Sequence, residues 1–206
     1  ACMGYATPAF AADAIVKTNK AWLSGATHIY GRMTVSGITS SNIKEKGFCY
    51  SSVNQMPTVE DGTSKIYLSN QGEIYNISQL KPATVYYIRA YVKKTNGDVV
   101  YGDPVKAITR PKGGVTYNIN DGFPSDVLTR VQAAAKEAID LWNEYTGIHG
   151  LHITINYGAQ TQTADCSYGG WMRIGPNASY QKTGTLLHEM LHAIGVGTHG
   201  TWQNSF

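Results

Sequence analysis

At 206 residues and 22.4 kDa the chain is long enough for one large domain or two of about 100 residues each. Hydrophobic residues at 42% can fill a core. Charged residues at only 15%, against an ordinary ~25%, give way to 22 Gly, 14 Tyr and many Ser, Thr and Asn, a β-rich and loop-rich balance. A net charge of +3 without clustered Lys/Arg argues against nucleic acid as a partner, and no apolar run approaches the ~20 residues that span a bilayer.

Residues 1–12 read as an N-terminal tail. Cys2, Cys49 and Cys166 are too few for a disulfide framework and have no metal-type spacing among themselves. Cys2 follows Ala1, where a lipid-bearing cysteine would sit in a trimmed bacterial lipoprotein. That would give a membrane attachment and a secreted or cell-surface location; an ordinary thiol near a frayed terminus is the alternative. Cys49 falls in an expected strand and is read as packing.

Residues 13–110 alternate in short apolar runs. These are Ala21–Leu23, Ile29–Val35, Gly47–Tyr50, Lys65–Leu68, Glu73–Ile77, Thr84–Val92, and Val99–Tyr101 leading into Val105–Ile108. Seven strands separated by turn clusters such as Asp61-Gly62, Asn70-Gln71-Gly72 and Asn96-Gly97 predict an antiparallel β-sandwich. In Leu80-Lys81-Pro82-Ala83-Thr84-Val85-Tyr86, Pro82 shapes a turn and Tyr86 stands where a tyrosine corner ties that turn to the next strand. With Tyr87-Ile88-Arg89-Ala90-Tyr91 and the Asn96-Gly97 hairpin, this half resembles the fibronectin type III family.

The texture changes at Arg110-Pro111-Lys112-Gly113-Gly114, and residues 111–114 read as a linker. Residues 1–110 carry 12 Lys+Arg against 7 Asp+Glu, a net +5, whereas 111–206 carry 5 against 7, a net −2. The second half, 115–206, opens with an expected strand at 115–119. A helix over 125–145 follows, its apolar stripe Val127, Val131, Ala134, Ala138, Leu141 and Tyr145, with Pro124 or Ser125 to start it and Gly147 to end it in a left-handed turn. Strands are expected at 152–157 and 171–174, with a polar loop from Gly158 to Asp165 between them.

The chemistry concentrates in His188-Glu189-Met190-Leu191-His192. Two histidines four apart on a helix project from one face, and two imidazoles so placed can bind one Zn²⁺ while leaving positions open. Glu189 beside them is placed to act as general base. Leu187, Leu191 and Ile194 are expected to face the core, and Gly195 to stop the helix so that the chain returns with His199.

Here the sequence resembles the metzincin zinc peptidases, most closely the astacin group. The order strand, long helix, strand, Cys166–Gly170, strand, zinc helix looks like the N-terminal half of that α+β catalytic domain, over about residues 113–199. The resemblance implies His188, His192 and His199 as zinc ligands and Glu189 as the catalytic base. It also implies that the strand Trp171-Met172-Arg173-Ile174 lies along a cleft and pairs with an extended peptide. The family places its third histidine where Thr198 stands here, one residue before His199. Its methionine turn has no counterpart before Phe206, so a C-terminally truncated zincin-like domain is expected.

The function expected is an exported zinc-dependent endopeptidase acting on protein or peptide substrates. The alternative is an adhesive or glycan-binding surface protein in which the sandwich does the work and the zinc helix is structural or degenerate. Oligomeric state is not legible.

Overall fold

The computed structural model describes residues 13–60, 64–67 and 74–205, and the chain divides into two units between Thr109 and Arg110. Cys2 and the turns at Asp61-Gly62 and Asn70-Gln71-Gly72 lie outside the described residues.

The first unit holds β1 (Ile15–Ser24), β2 (Ile29–Ser36), β3 (Ile43–Ser51), β4 (Ser64–Tyr67), β5 (Ile74–Ile77), β6 (Val85–Lys94), β7 (Val99–Tyr101) and β8 (Val105–Ile108). One sheet runs β1-β2-β5; the other runs β4-β3-β6-β7, with β8 also pairing β6, and every pairing is antiparallel. Alternate residues of both sheets, among them Ile29, Met33, Phe48, Ile77, Ile88, Ala90 and Val92, fill the core between them. Thr18 Oγ1 accepts the Ala90 N–H at 2.9 Å and so joins β1 to the opposite sheet. The corner forms as the sequence predicts: Tyr86 Oη accepts the Lys81 N–H at 2.9 Å. This is a fibronectin type III-like β-sandwich. Cys49 is fully buried within it.

The second unit is a four-stranded sheet in the order β11-β12-β10-β9. Its strands are β9 (Gly114–Ile119), β10 (His149–Tyr157), β11 (Ala164–Cys166) and β12 (Trp171–Ile174). β9, β10 and β12 run parallel, and β11 pairs antiparallel with β12 at the edge. Three helices accompany them: α1 (Ser125–Tyr145), α2 (Thr183–Ala193) and the short α3 (Gly200–Gln203). Val115, Ile153, Ile155, Met172 and Ile174 point to one side of the sheet, where Val131, Ala138 and Trp142 of α1 and Leu186 and Met190 of α2 complete a core. The other side carries Thr116, Asn118, His152 and Trp171, all exposed.

Several expectations need correcting. The Gly113-Gly114 pair is no linker. Gly113 N–H donates to Asn143 O at 2.7 Å, Gly114 opens β9, and the Asn143 amide brackets Val115 by accepting its N–H (2.8 Å) and donating to its carbonyl (2.9 Å). Helix α1 spans the predicted residues, but Leu141 stays at the margin of the buried arc and Ile139 and Trp142 are buried instead. It ends at Tyr145 without a left-handed glycine: Thr146 is extended, and its hydroxyl donates to Trp142 O at 2.8 Å. The expected polar loop 158–165 contains the start of β11, three residues long and without a patterning signal.

Candidate functional site

Helix α2 buries Leu186, Glu189, Met190 and Ala193, whereas Leu191 and Ile194 are each 40% exposed. The expected core face of Leu187, Leu191 and Ile194 is therefore rotated by about one residue, and Glu189 lies on the packed side. The helix stops as the sequence predicts. Gly195 adopts φ +105°, and the Val196 and Gly195 N–H groups return to Leu191 O and His192 O, both at 3.0 Å. This is the Schellman arrangement that a glycine just past a helix end permits. Gly169 N–H caps Ala193 O at 2.9 Å, tying the helix end to the turn before β12.

That turn sets the chemistry of His192. Its Nδ1 lies 2.6 Å from Val196 O, and because a carbonyl can only accept, Nδ1 carries the proton. The Nε2 lone pair is left for another partner, the tautomer that metal-bound histidines adopt. The Thr198 hydroxyl donates to His192 O at 2.6 Å and stiffens the same turn. His188, one turn earlier and exposed, brings its ring centroid to 5.0 Å from that of His192, the two planes at 86°. Burial pushes the Glu189 carboxyl above its ordinary range; the adjacent His192 and His188 pull it back only in part, and Asp165 adds to the rise. Burial, with Glu189 and Asp165 close by, likewise pushes the Cys166 thiol up to about 12. Cys166 is a buried free thiol whose Sγ faces Ser167 O.

His199 does not join the pair. It is the N-cap of α3, and its Nδ1 accepts the Thr201 N–H at 3.2 Å, which places the ring proton on Nε2. Its ring packs against Tyr168 at 4.8 Å. Among the described residues no group of three or more His, Cys, Asp and Glu side chains converges to hold a metal. His188 and His192 offer two adjacent imidazoles, the donor type a metal such as zinc takes, with Glu189 next in the chain. The donor set does not fit three imidazoles in this arrangement.

Strand β12 also departs from expectation. Thr154–Tyr157 of β10 pair with Trp171–Ile174 on one edge, and Ala164–Cys166 of β11 pair with Met172–Ile174 on the other. Ser167 N–H takes the remaining Trp171 O at 2.9 Å. Both edges are occupied, so no hydrogen-bonding rail is left for an extended peptide at 171–174. Met172 and Ile174 are fully buried, Trp171 is 53% exposed, and Arg173 is held by Asp165 through two bonds of 2.9 and 2.6 Å. The sequence reading gave no weight to Asp165, which neighbours both Glu189 and Cys166 electrostatically. Nothing in a polar loop of this composition marks it.

No family model matches the chain, and no curated protein matches it. Among solved structures, the fibronectin type III domain of human fibronectin type III domain containing protein 3 is similar. It has 14% identity and a TM-score of 0.37, covering 54% of this chain and 94% of that one. The fn3 domain of human contactin 1 is similar at 18% identity and a TM-score of 0.37, covering 54% and 92%. The Yersinia enterocolitica family 28 exopolygalacturonase is similar at 15% identity and a TM-score of 0.36, covering 69% of this chain and 27% of that one. The metzincin resemblance, and with it the zincin-like assignment of residues 115–206, is corrected. No matching family supports it, and among the described residues the three-histidine constellation on which it turns is not assembled. Among the described residues no helix is long and apolar enough to cross a membrane.

Proposed function

We propose that the second unit is a zinc-dependent hydrolase acting on peptide bonds, with His188 and His192 holding the metal and Glu189 as general base. The observation that carries this reading is the Val196 carbonyl on His192 Nδ1, which fixes the imidazole with its Nε2 lone pair outward beside His188. A bound zinc ion supplies acidity to a water and polarises a carbonyl. Glu189 takes the proton of the attacking water on a carboxylate oxygen and passes it to the leaving amine. A carboxyl whose affinity for protons is raised by burial is suited to both steps. An exported or cell-surface location belongs to the same reading.

The test is elemental analysis of the full chain together with a peptide-cleavage assay. About one zinc per chain is expected, lost in His192→Ala and retained in His199→Ala. Cleavage is expected to be chelator-sensitive and lost in Glu189→Ala with the metal kept. Absence of zinc after its addition, or undiminished cleavage by Glu189→Ala, overturns the reading. The outward turn of His199 favours a second reading, in which the helix is structural and the sandwich is adhesive. Binding of a surface ligand by a chain that takes up no zinc is the result expected from it.

A further inference from the structure

The side of the second sheet away from its helices carries a continuous hydrogen-bond chain that neither the fold nor the candidate hydrolytic site requires. Asn156 Nδ2 lies 3.0 Å from Met172 O and 3.1 Å from Thr154 O. Carbonyls only accept, so the Asn156 NH₂ group points at them and its Oδ1 must accept, here from Asn120 Nδ2 at 2.8 Å. Asn120 Oδ1 in turn accepts from Asn118 Nδ2 at 2.6 Å. Asn118 Oδ1 accepts from His152 Nε2 at 2.8 Å, and His152 Nδ1 is left to accept the Thr116 hydroxyl at 2.8 Å. Five side chains, four on β9 and β10 and the fifth from Asn120 just past β9, are thus oriented head to tail in one direction, which holds each amide in a single orientation.

Beside this array stands Trp171, in register with Thr154, itself opposite Asn118. Its ring is 53% exposed on a strand whose neighbour Met172 is fully buried. Two strand spacings, about 10 Å, separate the Trp171 and Asn118 positions, the length of two linked pyranose rings. The one charged group next to the array on β12, Arg173, is neutralised by the two-bond pair with Asp165.

We propose that this face binds a neutral oligosaccharide, one sugar ring stacked on Trp171 and its hydroxyls bonded along the Asn118–Asn120–Asn156 array. The complementarity is chemical. A flat exposed indole suits the C–H face of a pyranose. Amides fixed in orientation offer donors and acceptors in alternation to hydroxyls, which are both. The absence of uncompensated charge among these groups suits an uncharged polyol over a phosphate backbone or an acidic peptide. Because the array is ordered before binding, little side-chain entropy is lost when a ligand arrives. This inference does not rest on the zinc reading.

The test uses the full chain on an array of neutral di- to hexasaccharides (β-glucans, xylans, mannans and chitin oligomers), with sialylated and sulfated glycans and single-stranded DNA as controls. Calorimetry follows on the best neutral oligosaccharide. Trp171→Ala is expected to weaken its affinity at least tenfold and Asn118→Ala several-fold, both with unchanged circular dichroism. Glu189→Ala is expected to bind as the wild type does, which separates this site from the hydrolytic one. The proposal is overturned by no retention of any neutral glycan, by retention confined to acidic glycans or DNA, or by full affinity in Trp171→Ala.

Discussion

Two glycines at opposite ends of α2 give a pair of substitutions of opposite sign. Gly195 sits at φ +105°, and a Cβ there would stand 2.9 Å from His199 Cβ. An L-residue in that conformation costs about 1–3 kcal/mol. Relieving the contact by shifting the His199 turn brings the total for Gly195→Ala to roughly 2–4 kcal/mol. Gly184, in the first turn of the same helix, meets nothing within 4 Å and has ordinary helical φ. Gly184→Ala there gains about 0.4–1 kcal/mol, by removing freedom from the unfolded chain and adding helix propensity. For a unit of about 100 residues each kcal/mol moves Tm by roughly 4–8 °C. Scanning calorimetry of the full chain should therefore show Gly195→Ala lowering one transition by roughly 10–25 °C and Gly184→Ala raising the same transition by a few degrees. A fall of less than about 2 °C for Gly195→Ala, or a larger fall for Gly184→Ala than for Gly195→Ala, refutes the reasoning.

Three further outcomes follow from the packing. The Cys166 thiol is pushed from 9.0 to about 12 on folding, so its protonated form is favoured in the native state. Its contribution is intact below pH 9 and falls as pH rises toward 12; the difference between the urea midpoints of wild type and Cys166→Ala should be constant up to about pH 8 and shift against the wild type as pH rises above 9. Asn143→Ala removes both bonds to Val115 and should cost about 1–3 kcal/mol, with amide exchange at Val115 accelerated before that of Val131; equal protection in both proteins would rule this out. Tyr86→Phe deletes the acceptor of the Lys81 N–H at the corner of the sandwich and should cost about 1 kcal/mol by thermal melt, with no change in zinc content.

What the sequence made legible was local. The bounds of α1, the Tyr86 corner and the helix stop at Gly195 each follow from a pattern confined to one turn or one periodic stripe. The rest was decided by partners distant in sequence. Nothing within Trp171–Ile174 says that β10 and β11 will take both its edges, and a three-residue edge strand such as β11 leaves no alternation to read. In α2, polar His188, Glu189 and His192 share a helix with Leu186, Leu187, Met190, Leu191 and Ile194, so two apolar arcs compete. Contact with α1 and the sheet selects the one that also buries Glu189. The ring of His199 is governed by the four residues of α3 that it caps, and the capping bond takes the nitrogen whose proton a metal-bound tautomer would need. The hydrogen-bond chain from Thr116 to Asn156 was invisible because it requires β9 and β10 to be paired in a particular register.

The parallel pairing of β9 and β10 also has a consequence in time. Gly114 lies opposite His149, so the two strands meet only after the whole α1 crossover has been made. Closing a loose tether of that length costs about 3 kcal/mol of chain entropy. A 21-residue helix, supported by the Asp126–Arg130 and Lys136–Asp140 pairs, replaces the tether with a rod of about 31 Å. During synthesis, at ~5–20 residues per second, β9 is exposed for a few seconds before β10 exists to cover it. Its alternation of polar Thr116, Asn118 and Asn120 with apolar Val115, Tyr117 and Ile119 leaves one face of that waiting strand hydrophilic. The same asparagines that order the finished sheet thus limit the apolar surface that the nascent strand exposes while it waits.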